Sequence, residues 1–164
     1  MKTIITAAVA AAALLAVPAF AHADEVTAYG NIGDSNLDID VVTLGTITAR
    51  FGVRVTPHFG IEAEGMVGVA DDDFFGTPVE LKREFGAFAV ATFPLTPNVD
   101  VFARVGGATA TIDIGGFEDN SNGAAYGAGA QFFFDESNGV RVDYTKYELT
   151  EDADVWSVSY VRKF

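Results

Sequence analysis

Ten charged side chains stand in five pairs along the chain, each pair two or four residues apart: Arg50 and Arg54, Glu62 and Glu64, Lys82 and Glu84, Asp100 and Arg104, Arg141 and Asp143. On an extended strand that spacing puts both members of a pair on one side. Five cations facing five anions form a set that can neutralise itself in a low-dielectric interior, where an unpaired charge is costly and a paired one much less so. Catalysis is a poorer fit. Hydrolysis or acyl transfer needs a base beside a nucleophile, yet the chain has no Cys and only His22 and His58. His58 falls in the tight turn Thr56-Pro57-His58, so no catalytic residue is assigned and no enzyme is expected. The run from Asp34 to Asp40 opens like a calcium loop, but Ile39 and Gly45 stand where that loop requires Gly and Glu. Gly127-Ala-Gly129 lacks the third glycine and the helix of a phosphate cradle. No metal and no cofactor are expected.

The elements that must position these charges read as strands. Met1-Lys2, an uncharged run from Thr3 to Phe20, and Ala21-His22-Ala23 make residues 1–23 a signal peptide. Residues 24–164 then form one domain. Eight strand-like runs follow, at about 25–32, 41–55, 59–69, 80–93, 99–112, 123–134, 140–149 and 154–164. Connections after even runs are tight, whereas residues 33–40, 70–79 and 113–122 after odd runs are longer and acidic or Gly-rich, with 150–153 the short exception. In an up-and-down barrel those two classes lie at opposite ends.

Parity separates two faces. Phe59, Ile61, Ala63, Val67 and Val69 oppose Gly60, Glu62, Glu64 and Met66; Tyr126, Ala128, Ala130, Phe132 and Phe134 oppose Gly127, Gly129 and Gln131. The run at 80–93 breaks the rule, placing Arg83 on the apolar side and Phe88 and Val90 on the polar one. A soluble barrel would turn the apolar face inward and a membrane barrel would turn it outward. The balance of the ten charges favours the second arrangement. Aromatic girdles are expected at one end from Phe59, Phe93, Phe134 and Phe164, and at the other from Phe85, Tyr126, Tyr147 and Trp156. The net charge of -13 argues against nucleic acid as a partner.

The ending, Asp154 to Phe164, places Trp156, Val158, Tyr160 and Phe164 on one face, with Arg162 between them. It resembles the C-terminal signature of bacterial outer-membrane barrels, although Arg162 replaces the aromatic often found at that position. Together with Arg50-Phe51-Gly52 leading to Pro57 and Glu62, and Gly127 to Phe134 before Asp135, it makes the chain similar to the porin-like or opacity-protein family. That family shares its architecture with OmpX and the OmpA transmembrane domain. The resemblance implies an all-β, eight-stranded antiparallel up-and-down transmembrane barrel in the outer membrane of a Gram-negative bacterium. It also implies a monomer that meets periplasmic chaperones and the barrel-assembly machinery, the latter reading Trp156, Val158, Tyr160 and Phe164.

Function is expected to be structural or surface-directed. An eight-stranded barrel is only wide enough for side chains to fill, so the ten charges are read as a plug. Twelve acids in the odd connections and Asp154, with no Lys or Arg among them, suit contact with lipopolysaccharide through divalent cations. A narrow channel for water or small cations and a soluble periplasmic lipocalin-like carrier are the alternatives.

Overall fold

The computed structural model describes residues 26–39, 42–69, 72–74, 77–114, 117–150 and 152–164. The expected leader, and His22 with it, lies outside them. Nine strand segments follow in order among the described residues: β1 Thr27–Ile39, β2 Val42–Arg54, β3 Phe59–Gly68, β4 Asp72–Phe74, β5 Thr77–Pro94, β6 Val99–Ile114, β7 Phe117–Phe133, β8 Asn138–Glu148 and β9 Asp152–Lys163. The segments β3 and β4 both pair with β5 and make one stave, so the ring has eight. It closes where β1 runs antiparallel to β9, from Tyr29 opposite Lys163 to Asp38 opposite Asp154.

Three short turns gather at the end that carries Thr27 and Lys163, and two share one device. Thr56 Oγ1 accepts the amides of His58 (3.3 Å) and Phe59 (2.9 Å), as Thr96 Oγ1 accepts those of Asn98 (3.3 Å) and Val99 (3.0 Å). Asp135 does the same for Ser137 (2.8 Å) and Asn138 (2.7 Å) with a carboxylate. The Asn138 side-chain amide, together with those two backbone amides, holds the Asp135 carboxyl below its ordinary range. A depressed folded-state pKa means that this turn is supported at neutral pH and loses the support as pH falls through the lowered value.

The other end departs from expectation. Long connections expected at 33–40 and 113–122 are mostly strand, because pairing continues to Ile39 opposite Val42 and Ile114 opposite Phe117. Backbone pairing beyond a bilayer needs no apolar side chain, so polar composition concealed these extensions. Asp34 consequently sits within β1, exposed on the outer wall and opposite Ile47 and Val158.

The apolar parity face is the outside. Phe59, Ile61, Phe93, Val105, Phe132, Val142, Trp156 and Val158 are all 45–64% exposed. Two side chains leave their assigned places. Tyr147 points inward and is 2% exposed, so it belongs to no girdle; on β8 it shares parity with Arg141, Asp143 and Thr145. Lys82 is exposed rather than interior, because the β5–β6 register shifts between Leu81 and Arg83. That bulge turns both Lys82 and Arg83 outward and sets Leu81, Glu84, Phe88 and Val90 inward.

Replacing outward Val142 by Lys should destabilise the barrel by about 2–4 kcal/mol in a bilayer, the cost of a cation on the lipid face near the midplane. Urea unfolding from phospholipid vesicles measures it. A change within about 0.5 kcal/mol would show that Val142 meets water rather than acyl chains.

Candidate functional site

The lumen is the candidate site. Four strands supply a continuous polar network across it. Arg104 of β6 reaches two carboxylates of β3: Nη1 donates to Glu62 Oε1 at 2.9 Å and Nη2 to Glu64 Oε1 at 3.1 Å. It also donates to Thr145 Oγ1 from Nε (3.1 Å) and Nη2 (2.7 Å). Arg141 of β8 takes the other oxygen of Glu62 at 2.7 Å and reaches Asp143 from Nε at 3.0 Å. Arg50 of β2 pairs with Glu64 and forks onto Asp143 at 3.2 and 3.0 Å. Three arginines thus meet three carboxylates, with each carboxylate held by two of them.

Around this ring neutral groups complete the bonding. Tyr29 OH donates to Glu62 at 2.9 Å, Tyr147 OH donates to Glu64, and Ser157 Oγ accepts from Arg50 at 3.2 Å. Aromatic faces support two cations, Arg104 lying 4.1 Å above Phe88 and Arg141 4.0 Å above Phe102. Such contacts add favourable energy where the cation is desolvated. They explain why Phe88 and Phe102 belong on the charged side. Glycine makes room for one of them: a Cβ at Gly129 would lie 2.7 Å from the Phe102 ring and 2.6 Å from the Asp143 Cβ.

Below the ring, Asp100 accepts from Arg54 (3.1 Å) and Gln131 (3.0 Å), and Lys163 Nζ lies 3.9 Å away and 3.5 Å above the Phe133 ring. Nine of the ten predicted interior charges therefore face the lumen. Glu84 does so alone, since neither of its oxygens has a hydrogen-bond partner. Lys82, outside, lies 3.8 Å from Asp113.

Above the ring the lumen becomes apolar, which parity reasoning missed. Leu37, Leu44, Met66, Leu81, Ala110 and Val155 are at most 5% exposed and pack in one cluster. The signal was present: Leu37 and Leu44 continue the inward parity of Ser35 and Thr46. A cavity of about 70 Å³ remains beside Leu37, Met66, Leu81 and Ala110.

The remaining sites are peripheral. His58 Nδ1 lies 3.1 Å from the Thr92 carbonyl oxygen and its ring stacks on Phe93 at 5.9 Å, in an exposed turn. At the opposite rim Asp38 accepts from Thr43 (2.7 Å), Asp152 holds Lys146 (3.2 Å) and Asp154 accepts from Tyr144. The acids of residues 40, 71 and 151 lie outside the described residues. Trp156, Val158, Tyr160 and Phe164 all face outward, and Arg162 lies 5.7 Å over the Phe164 ring.

An edgeless ring of eight antiparallel staves, apolar outside and ion-paired within, defines a small outer-membrane β-barrel. The chain belongs to the family described as outer membrane protein beta-barrel domain, which matches residues 7–164. Among solved structures it is similar to Ail, the attachment invasion locus protein of Yersinia pestis, in complex with the heparin analogue sucrose octasulfate. The TM-score is 0.64 at 14% identity, over 85% of this chain and 99% of that one. The N-terminal β-barrel domain of Pseudomonas aeruginosa OprF scores 0.62 at 14% identity, over 83% and 97%. Pseudomonas aeruginosa OprG scores 0.62 at 9% identity, over 85% and 96%. A comparison with curated protein sequences returns no match.

Removing Arg104 takes one partner from each of Glu62 and Glu64 in a buried setting. Arg104→Ala should cost about 3–5 kcal/mol of stability. Lys82→Ala, at the exposed bulge, should stay within about 0.5 kcal/mol. Parallel urea titrations in vesicles read both.

Proposed function

We propose that this protein is a structural and surface-directed barrel of the outer membrane whose lumen is closed by side chains. The observation that carries this reading is the unbroken bonding from Arg50 through Glu64, Arg104, Glu62 and Arg141 to Asp143 and back to Arg50. A permeating ion would have to break charge-assisted bonds at this level, each stronger than a neutral hydrogen bond. The chain reaches its place after export with residues 1–23 as a cleaved leader. Trp156, Val158, Tyr160 and Phe164 present an outward face for the assembly machinery, and periplasmic chaperones hold the chain on the way.

The outer rim is acidic, with Asp38, Asp113, Asp119, Asp152 and Asp154 among its described members. Such a rim draws divalent cations and, through them, the phosphates of lipopolysaccharide. Ail binds a heparin analogue, a polyanion. With a net charge of -13, this chain would repel such a ligand, so a direct contact with sulfated sugar is not proposed.

In planar bilayers the purified barrel should give no discrete conductance steps. Sustained single-channel currents from the native chain would overturn the closed-lumen reading and favour a narrow cation or water channel. Heparin-agarose should not retain the protein at low salt.

A further inference from the structure

We infer that the apolar outer half of the lumen is a binding pocket for a small primary alkylammonium ion, with Glu84 as its counter-charge. The inference does not depend on whether the lumen conducts, because the pocket lies above the ion-paired ring.

Charge is the first ground. Glu84 is 3% exposed, and both of its oxygens lack a hydrogen-bond partner. The neighbouring cations are committed elsewhere. Arg50, Arg104 and Arg141 are shared among Glu62, Glu64 and Asp143, and Arg54 and Lys163 gather at Asp100. Lys82 and Arg83, on the same strand, turn outward at the bulge. A buried carboxyl without a partner either holds a proton or needs a cation beside it, and an incoming ammonium ion supplies that cation.

Shape and chemistry narrow the occupant. Glu84 lines the cavity of about 70 Å³ together with Leu37, Met66, Leu81, Ala110 and Ala153, and Tyr147 closes its floor by donating to Glu64. That is well under the roughly 150 Å³ of an apolar cavity that accepts benzene, so a chain of a few carbons fits and a ring does not. A hard metal ion seeks about six or more oxygens, whereas these walls are mostly carbon. An ammonium group brings three donors for the two free oxygens, and its alkyl chain suits the Leu and Ala walls. Entry is from the outer mouth, where Asp119 and Thr150 line the pocket and are exposed. Acidic groups there raise the local concentration of cations.

The test uses the full barrel in lipid nanodiscs with n-propylammonium chloride as the probe, followed by saturation-transfer NMR of its methylene protons. Propanol supplies the same chain without charge, and tetramethylammonium supplies charge without N–H donors. Saturable binding of propylammonium alone is expected. It should weaken about tenfold or more in Glu84→Gln, which removes the charge of a charge-assisted bond, and disappear in Ala153→Leu, which fills the cavity and keeps the carboxylate. Heat-shifted gel mobility in SDS verifies that each variant is folded. If Glu84→Gln does not fold, loss of binding in Ala153→Leu decides in favour of the pocket and retained binding decides against it. Equal binding of propanol, equal binding of tetramethylammonium, or unchanged binding in Glu84→Gln would each overturn the inference. A conducting lumen would leave these results standing, so the two readings fail separately.

Discussion

Hydrocarbon offers no hydrogen-bond partner, so a strand that crosses it must have both backbone edges paired. The ladder between β1 and β9 meets that requirement here, joining residues as far apart in sequence as Tyr29 and Lys163. Without that seam the two outermost staves would each expose a row of amides and carbonyls to lipid. The inside-out distribution of side chains follows from the same closure. Once the ring is shut, one parity face must meet acyl chains and the other must line a narrow lumen.

Filling that space with charge is only tolerable when charges come in compensating sets. Arg50, Arg104 and Arg141 do not form three isolated ion pairs; each of Glu62, Glu64 and Asp143 is shared by two of them. Sharing satisfies more of each guanidinium and carboxylate than a simple pair would, which offsets the desolvation that makes buried ions marginal. Because the six residues come from β2, β3, β6 and β8, the network also ties opposite walls together. Phe88 and Phe102 extend the same logic, since an aromatic face is a partner for a cation that has no further acceptor.

Strand number, inside-out polarity and most of the ring were legible because period-two alternation is rigid: a residue faces in or out with no intermediate choice. Glu62 and Glu64, or Arg141 and Asp143, could be placed on sight for that reason. Lys82 could not. A bulge adds one residue and flips parity, and nothing in Leu81-Lys82-Arg83 announces it except the misfit of Phe88 and Val90 downstream. The residue type of Tyr147 suggests a girdle, although its parity with Asp143 and Thr145 points inward. The extended outer hairpins are hidden in the sequence because propensity describes packing on a half-buried surface, whereas the backbone ladder outside the membrane forms whatever the side chain.

The lumen is filled in two different ways, and the boundary between them lies at Met66 and Glu84, which face each other across β3 and β5. Below it most polar side chains bond one another, although Asn31 Nδ2, Arg54 Nε and Ser159 Oγ lack partners; above it Leu37, Leu44, Leu81 and Val155 exclude water by apolar contact. Either filling closes a narrow barrel, but they differ in what a mismatch costs. An apolar layer can leave a void and lose only contact energy, whereas a polar layer that leaves a group unbonded loses the full desolvation of that group. Glu84 stands at the junction, a charged residue type that neither layer satisfies. A purely structural lumen has no use for a carboxyl there, since Leu would fill the space without an unbonded polar group. Its presence where the outer cavity meets the inner ring marks the junction as a part of the barrel where filling alone does not account for the residue.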